Sequence, residues 1–440
     1  MWRKRAVFPA LLLAFVACEP ATDSDDAGTG ATTSAMSLDE VAEHYVKLAL
    51  AFRPYDADYV DAYFGPAEWA SEAEATATPL ADLRAAAHDL VDALRTSAGR
   101  GTDEMARLRR SGLEKRITSM LTRMEMADGA RLPFDDESAA LFDAVAPDHD
   151  AAYFQSVHDR LEALVPGEGS LNERLDAFRQ RFEIPKDRLA AVFDAAVAEC
   201  RRRTLEHIAL PADESFTIEF VTDQSWSGYN WYKGNRFSLI QINTDLPIPI
   251  SRAVDLGCHE GYPGHHTFNV LTEERLVNER GWIEFTLHPL YGPQSLISEG
   301  SANYGIEMAF PDDERRDFEE TVLFPIAGLD ASQADLYYDV FEALEDLSYV
   351  DNEAARDYLN GTLTREEAVE WLMSTAVSPR RRAEQRVRFI ETYRSYVINY
   401  NLGRDLVEAF ITARAGDDRD RQWAEFERLL SEPFTPSDLQ

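Results

Sequence analysis

The stretch that most constrains the fold of this 440-residue chain reads Cys258-His259-Glu260-Gly261-Tyr262-Pro263-Gly264-His265-His266. A His-Glu pair on an apolar segment, followed by further histidines, invites comparison with the H-E-x-x-H zinc motif, in which two histidines four residues apart face the same way on one helix. Here the position four residues after His259 is Pro263, so the simple motif fails. Proline has no N–H to donate, and its ring clashes with the carbonyl four residues back. We therefore predict that the helix breaks or bulges between Gly261 and Gly264.

Two histidines compete for the position of the second metal ligand. On an unbroken helix, seven residues bring His266 almost back over His259, whereas six residues leave His265 far round the cylinder. If the Pro-Gly pair is instead a two-residue insertion into the motif, His265 is the displaced second ligand. The spacing alone leaves both alternatives open.

The pattern on either side of this motif predicts the fold class. Residues 216–221 alternate and are β-branched, and residues 230–243 indicate a hairpin that turns at Lys233-Gly-Asn235. Elsewhere apolar residues recur at helical spacing, in residues 41–52, 80–94, 105–126, 153–164 and 189–208, and helices resume at Ile250. Capping boxes at Ser170 and Thr364 and a proline at Pro293 mark helix starts. We predict a large, mainly α fold with one small antiparallel β-sheet before the motif helix.

The charge of the chain excludes several functions. There are 79 Asp and Glu residues against 44 Lys and Arg, which gives a formal net charge of −35. A nucleic-acid binder needs a basic surface that displaces counterions from phosphates, so no nucleic-acid partner is expected. A polybasic peripheral-membrane protein is unexpected for the same reason. Hydrophobic residues make up 45% of the chain, which is enough for a substantial core.

The N-terminus predicts export and a lipid anchor. Residues 1–17 carry a basic start and a short apolar run, which is typical of a secretory signal, and Phe15-Val-Ala-Cys18 is similar to a bacterial lipobox with Cys18 as the lipidated residue. Residues 18–37 are polar and predict a disordered tether. Residues 38–210 then form a helical lobe and residues 211–440 a catalytic lobe, in one continuous domain. The other two cysteines, Cys200 and Cys258, could pair, although two buried thiols is the favoured interpretation.

Residues 259–266 resemble the H-E-x-x-P-G-H signature of the bacterial "domain of unknown function 885" family, whose members are similar to gluzincin metallopeptidases and include many predicted lipoproteins. The first histidine after Pro-Gly is constant in that signature, which favours His265. The family's second signature, Glu-Gly-Trp-Ala-Leu-Tyr-Ala-Glu, is similar to residues 299–307, with Ser301 in place of the Trp and the closing Glu one place late. Its Tyr-Lys-Ile-Gly is similar to residues 400–403. The resemblance implies a large helical metallopeptidase-like fold.

The resemblance and the chemistry of zinc together imply a set of site residues. Zinc in hydrolases takes three protein ligands and keeps one position for water, and we predict His259, His265 and Glu299 as these ligands. Glu260 is the predicted general base. The donor to the tetrahedral oxyanion is predicted among three tyrosines, and the resemblance favours the last of them: Tyr304, Tyr396 and Tyr400. The residues predicted to support the ligands are His266 and Glu307.

The resulting functional hypothesis is a lipid-anchored zinc metallopeptidase that acts on peptides at the periplasmic or extracellular side of a bacterial cell envelope. Its alternatives are a zinc hydrolase of non-peptide amides or esters and a non-catalytic binding lipoprotein on the same fold. A basic island in the acidic chain is interpreted as a solvated helix face in preference to a clamp for a substrate carboxylate; it comprises Arg380, Arg381, Arg382, Arg386, Arg388 and Arg394.

Overall fold

The computed structural model describes residues 36–96 and 103–440. The predicted signal peptide, Cys18 and residues 18–35 of the predicted tether lie outside the described residues. Within the described ranges the helices are α1 Leu38–Phe52, α2 Ala67–Ala75, α3 Leu80–Thr96, α4 Glu104–Ala127, α5 Phe134–Phe142, α6 Ala151–Leu164, α7 Leu171–Arg179, α8 Leu189–Leu205, α9 Ser251–Glu260, α10 His265–Thr272, α11 Pro293–Ala309, α12 Glu314–Phe318, α13 Phe324–Ala327, α14 Ala334–Glu345, α15 Val350–Leu359, α16 Arg365–Thr375, α17 Arg380–Tyr393, α18 Ile398–Ala415 and α19 Arg419–Ser431. The strands are β1 Val60–Tyr63, β2 Ser215–Val221, β3 Gly228–Tyr232, β4 Phe237–Asn243 and β5 Leu287–Pro289.

The predicted mainly α fold class is confirmed, and local signals in the sequence account for several helix starts. Ser170 and Thr364 each accept a hydrogen bond from the backbone N–H three residues on, and the glutamate there bonds back to the cap, so both capping boxes form. Pro293 occupies the first turn of α11, where its missing N–H leaves no helical bond unmade. These caps fix the starts of α7, α16 and α11.

The β structure differs from the prediction in two ways. The hairpin of β3 and β4 is present and antiparallel, but β2 pairs with β4 in parallel, so the three-stranded sheet of order β2-β4-β3 is mixed. A second, two-stranded sheet joins β1 to β5. Strands of four and three residues are too short for an alternating pattern to mark them in a sequence, which explains why they were not predicted.

One hydrophobic cluster connects the two halves of the chain. It extends from Val41 in α1 to Leu402 in α18 and includes buried residues of the sheet such as Ile240. A second cluster lies around Phe426 of α19. Among the described residues, no helix combines the length and the apolar character needed to cross a bilayer.

The two cysteines of the described chain form a disulfide, which corrects the preference for free thiols. Cys200 of α8 and Cys258 of α9 are fully buried, with their Cα atoms 5.5 Å apart. They are 58 residues apart in sequence, and this separation alone does not reveal that α8 and α9 pack side by side. The disulfide fastens α9 to α8 at the residue that precedes His259.

Helices α11 and α18 cross at a contact between two glycines. A β-carbon on Gly300 would lie 2.3 Å from the carbonyl carbon of Gly403, and one on Gly403 would lie 2.7 Å from the carbonyl oxygen of Leu296. No side chain fits between backbones this close, so both positions require glycine. The crossing brings the first part of α18 against Glu299, the residue before Gly300.

We expect Gly300→Ala to destabilise the protein and Gly112→Ala to leave it unchanged or more stable. The added methyl at Gly300 would push two backbones apart, at a cost of about 1–3 kcal/mol or more. Gly112 lies in α4, and a β-carbon there would meet nothing nearer than 3.7 Å, so alanine should gain up to about 1 kcal/mol of helix propensity. Denaturant unfolding of both variants measures the difference. Equal unfolding midpoints would show that the helix crossing accommodates a methyl group at residue 300.

Candidate metal centre

The chain between α9 and α10 makes the predicted break in a form that displaces His265 by two positions. The Gly264 N–H donates to the carbonyl oxygen of Cys258 at 3.0 Å, and the Thr267 N–H donates to that of Gly261 at 3.3 Å. Both bonds span six residues, two more than the four of an α-helix. A β-carbon on Gly264 would lie 1.9 Å from the His259 carbonyl oxygen, so only glycine fits there. The register is therefore that of an H-E-x-x-H helix with two residues inserted.

The break brings two histidines of α9 and α10 to a carboxylate of α11. His259 Nε2 lies 3.1 Å and His265 Nε2 lies 3.6 Å from Glu299 Oε2. The candidate ligand atoms of these three residues all lie within 4.8 Å of one another. Two imidazole nitrogens and one carboxylate oxygen form a donor set that suits a divalent transition metal.

Both histidines are held by their other ring nitrogen. Asn303 donates from Nδ2 to the Tyr400 carbonyl oxygen at 2.9 Å, so its Oδ1 is the acceptor that faces His259 Nδ1 at 2.8 Å. His259 therefore carries its proton on Nδ1, and the lone pair of Nε2 points toward Glu299. Ser298 Oγ lies 2.9 Å from His265 Nδ1 and can hold that ring in the same tautomer. Such partners orient metal-binding imidazoles.

Glu299 is buried, and only one of its two carboxylate oxygens accepts a hydrogen bond. Oε1 accepts a hydrogen bond from the Tyr396 hydroxyl at 2.7 Å, whereas Oε2 is buried without any hydrogen-bond partner. An ionised oxygen without a partner is costly to bury, and a metal ion at this point would satisfy it. The residues present therefore fit a metal.

The electrostatics of the cluster favour a cation. Burial opposes ionisation of Glu299, but His265 and His259 outweigh it and hold the pKa of Glu299 well below its usual range. Burial likewise lowers the pKa of His265, whereas Glu299, Glu260 and Asp61 raise it, with a net value of about 9. Three carboxylates thus create a negative potential at the point where the imidazoles meet.

Glu260 lies beside the cluster without joining it. Its side chain is buried, and its Oε2 has no hydrogen-bond partner. Asn230 of β3 donates to the Glu260 backbone carbonyl at 2.7 Å, which ties the end of α9 to the edge of the sheet. Burial raises the pKa of Glu260 above its usual value, although His259 and His265 oppose this. A carboxylate in this state is suited to exchange protons with a neighbouring molecule.

The structure separates the three candidate tyrosines. Tyr396 donates its hydroxyl to Glu299. The Tyr400 ring lies 6.4 Å from the His259 ring, and its hydroxyl makes no hydrogen bond within the described residues. Tyr304 is not in the site: it packs in the second hydrophobic cluster, against Phe426. It follows Glu299 by five positions, which places it about 140° round α11 from the ligand.

The two predicted supporting residues also lie away from the ligands. His266 is fully buried, with Nδ1 2.8 Å from Ser238 Oγ and Nε2 2.9 Å from Glu214 Oε2, so neither ring nitrogen is available to the cluster. Glu307 is exposed and forms an ion pair with Arg404 at 2.7 Å. In their place the structure uses Asn303 and Ser298, which the sequence analysis did not identify. The position of Asn303, one helical turn after Glu299, was the available signal.

A cleft of about 1470 Å³ gives access to this cluster. His259, Glu260, His265, Glu299, Tyr396 and Tyr400 all line it. The six arginines of the basic island separate in the structure. Arg380 pairs with Glu366 and Arg394 with Glu137, and Arg388 is exposed outside the cleft. The three that line the cleft are Arg381, Arg382 and Arg386. The cleft therefore exposes the candidate metal ligands and several cationic side chains to one bound molecule.

Comparisons with known proteins find several similar solved structures and no family. No family model matches the chain, and no curated protein matches it. Among solved structures the chain is similar to a candidate lipoprotein from Colwellia psychrerythraea, with 15% identity, 90% of this chain and 76% of that chain covered, and a TM-score of 0.48. It is similar to an M32 carboxypeptidase from Deinococcus radiodurans R1, with 13% identity, coverage of 91% and 93%, and a TM-score of 0.47. A candidate lipoprotein of unknown function from Shewanella oneidensis gives 13% identity, coverage of 93% and 88%, and a TM-score of 0.48.

We expect His265→Gln to weaken zinc binding and His266→Gln to lower stability while zinc still binds. Loss of His265 removes a ligand, so zinc affinity should fall by more than the roughly 100-fold that loss of a supporting residue costs. Loss of His266 disturbs the buried bond to Glu214 and should lower the free energy of unfolding by about 1–3 kcal/mol while zinc still binds. Chelator competition and thermal unfolding measure the two effects. If only His266→Gln lost zinc, His266 rather than His265 would be the second metal ligand.

Proposed function

We propose that this protein is a zinc-dependent hydrolase that cleaves peptides, of the gluzincin type that its resemblance to the "domain of unknown function 885" family implies. One observation carries the proposal: His259, His265 and Glu299 converge beside a buried Glu260 with an unpartnered oxygen, in a cleft of about 1470 Å³. Two histidines and a glutamate are a known zinc set of hydrolases.

The mechanism assigns a separate task to each residue. A zinc ion held by His259, His265 and Glu299 would supply Lewis acidity to a water molecule and to the scissile carbonyl. Glu260 accepts a proton from the attacking water at a carboxylate oxygen, while the water oxygen bonds to the carbonyl carbon. Glu260 then donates that proton to the nitrogen of the leaving amine as the carbon–nitrogen bond breaks. Its raised pKa brings it nearer to a value at which it can both accept and release a proton.

The tyrosines complete this mechanism in two different roles. Tyr400 has a hydroxyl with no partner in the described chain and a ring close to His259, so we assign it as the hydrogen-bond donor to the oxyanion. Tyr396 holds Glu299 and acts as a positioning residue for that carboxylate. Asn303 connects the proposed metal ligands to the proposed oxyanion donor, because its side chain is hydrogen-bonded to both His259 and the Tyr400 backbone carbonyl.

We further propose that the protein works outside the cytoplasm, held to the cell envelope by a lipid on Cys18. The support is the lipobox-like sequence before Cys18 and the Cys200–Cys258 disulfide, since disulfides form and persist in oxidising compartments. The net charge of −35 argues against nucleic acid as a partner.

We expect Glu260→Gln to abolish hydrolysis and to leave zinc bound. The amide keeps the volume of the side chain but cannot accept the proton, so kcat should fall by about 100-fold or more. The matched control is Glu279→Gln, which changes an exposed glutamate paired with Arg275 and should keep full activity. Metal analysis and turnover of a peptide library measure both properties, and a parallel library of small amides and esters tests the non-peptide alternative. Full activity in Glu260→Gln would contradict the mechanism.

We expect Phe substitutions at the three tyrosines to differ in whether they change kcat, zinc affinity or neither. Tyr400→Phe removes the oxyanion donor and should lower kcat by about 100-fold with KM and zinc affinity kept. Tyr396→Phe removes the bond to Glu299 and should weaken zinc binding by about 10-fold to 100-fold. Tyr304→Phe should change neither. Steady-state kinetics and zinc titration distinguish these outcomes, and an unchanged kcat in Tyr400→Phe would remove that residue from the mechanism.

A further inference from the structure

Two arginines that line the cleft have no anionic partner. Arg382 makes no hydrogen bond or ion pair through its side chain within the described residues, and Arg179 donates only to the Val377 carbonyl, at 3.2 Å. Asp176 and Glu183 are near enough to favour the charged form of Arg382, yet neither forms an ion pair with it within 4.0 Å. The chain has 79 acidic residues for 44 Lys and Arg, so a shortage of carboxylates does not explain this arrangement.

A third arginine adds to the same region of positive charge. Arg252 lines the cleft, and its partner Asp255 is shared with the half-buried Arg315, which lies 2.6 Å from that carboxylate. Arg382 is exposed at the surface of the cleft, yet the protein around its guanidinium and then the charge of Arg252 lower the pKa of Arg382. Burial and then the charge of Arg382 lower the pKa of Arg179 to about 10. Arg382 therefore lies near enough to both Arg252 and Arg179 for its charge to be repelled by theirs, and an anion bound beside Arg382 would relieve that repulsion.

The backbone adds to this positive potential. Helices α9 and α17 both begin at the cleft, whose lining includes Pro249 and Ser251 at the start of α9 and Ser378 and Pro379 just before α17. Neither helix has a side chain that caps its first N–H groups. The N-terminal end of a helix carries a partial positive charge and favours anions. Arg252 and Arg382 lie in the first turns of these two helices.

Helix geometry gives the distance from this region to the metal ligands. Arg252 precedes His259 by seven residues on α9, which is nearly two full turns, so both side chains leave the same face. The separation along the axis is about 10 Å. An extended peptide covers this distance with about three residues. One peptide can thus reach both places at the same time.

We propose that Arg179, Arg252 and Arg382 form a carboxylate-binding subsite that selects peptides with a carboxylate about three residues from the cleaved bond. The inference rests on the proposed hydrolase function and extends it to the substrate class. Planar guanidinium groups bind carboxylates through paired hydrogen bonds, which also fixes the register of the peptide relative to His259 and Glu260. The carboxylate can come from the C-terminus of the peptide or from an acidic side chain.

The test compares three peptides of one sequence on the zinc-loaded full chain. The parent peptide is amidated at its C-terminus and has no acidic residue; the second has a free C-terminal carboxylate; the third is amidated and has a glutamate three residues from the cleavage site. The enzyme variants are Arg382→Gln and Arg179→Gln, with Arg388→Gln as the matched control, because Arg388 lies on the same helix, is exposed and does not line the cleft. Thermal unfolding checks that each variant is folded, and Arg382→Lys keeps the charge without the guanidinium fork.

We expect one of the two carboxylate peptides to exceed the parent in kcat/KM by about 10-fold to 100-fold, the range of a charge-assisted hydrogen bond. Arg382→Gln and Arg179→Gln should remove this advantage, so that the carboxylate peptide is cleaved no faster than the parent peptide, and Arg388→Gln should keep it. An advantage of the second peptide identifies a terminal carboxylate, and an advantage of the third identifies a side chain. Equal cleavage of all three peptides by the unmodified enzyme, or an advantage that survives in both variants, would overturn the proposal.

A binding measurement separates failure of the subsite from failure of the proposed function. Dissociation constants of the three peptides are measured on zinc-loaded Glu260→Gln and on the same protein with Arg382→Gln added. Tighter binding of a carboxylate peptide that depends on Arg382 supports the subsite even if the unmodified chain hydrolyses nothing. Hydrolysis without any preference for a carboxylate supports the enzyme and overturns the subsite.

Discussion

The contact between the backbones of α11 and α18 at Gly300 and Gly403 is the constraint on which the site depends. A β-carbon at Gly300 would overlap the facing backbone at 2.3 Å, so no side chain larger than that of glycine fits between the two helices at this point. This approach places Tyr396 within 2.7 Å of Glu299 and lets Asn303 reach the Tyr400 carbonyl. With a larger separation, Glu299 would lose the hydroxyl that orients it, and α18 would no longer close the cluster.

A second constraint acts from the opposite side of the cluster. Helix α9 is joined to α8 by the Cys200–Cys258 disulfide and to the sheet by the bond from Asn230 to the Glu260 carbonyl. The break at Gly264 then returns the chain so that His265 faces His259, with ring centroids 4.6 Å apart. The first histidine is thus fixed by covalent and sheet contacts, the second by the register of the break, and the carboxylate by the helix crossing.

Much of this arrangement was predictable because it depends on local features of the sequence. Pro263 forbids an unbroken helix, and the capping box at Ser170 marks a helix start through bonds within four residues. Spacing alone did not decide whether His265 or His266 is the second candidate ligand. The answer depends on a loop that carries two extra residues and on the buried Glu214, which is hydrogen-bonded to His266. Tyr304 and Asn303 differ by one position on α11, and only the packing of α18 and α19 shows which of them faces the metal ligands. The disulfide and the short β1–β5 sheet join distant segments, so local patterns could not reveal them.

The amide of Asn303 makes the two halves of the proposed chemistry mechanically dependent. Its oxygen accepts a hydrogen bond from His259 Nδ1, and its nitrogen donates one to the backbone carbonyl of Tyr400, the residue proposed as the oxyanion donor. A displacement of α18 toward or away from α11 therefore turns the imidazole as well as moving the phenol. Under the proposed mechanism, a substitution at residue 303, 400 or 403 would therefore alter both the orientation of a proposed metal ligand and the position of the proposed oxyanion donor.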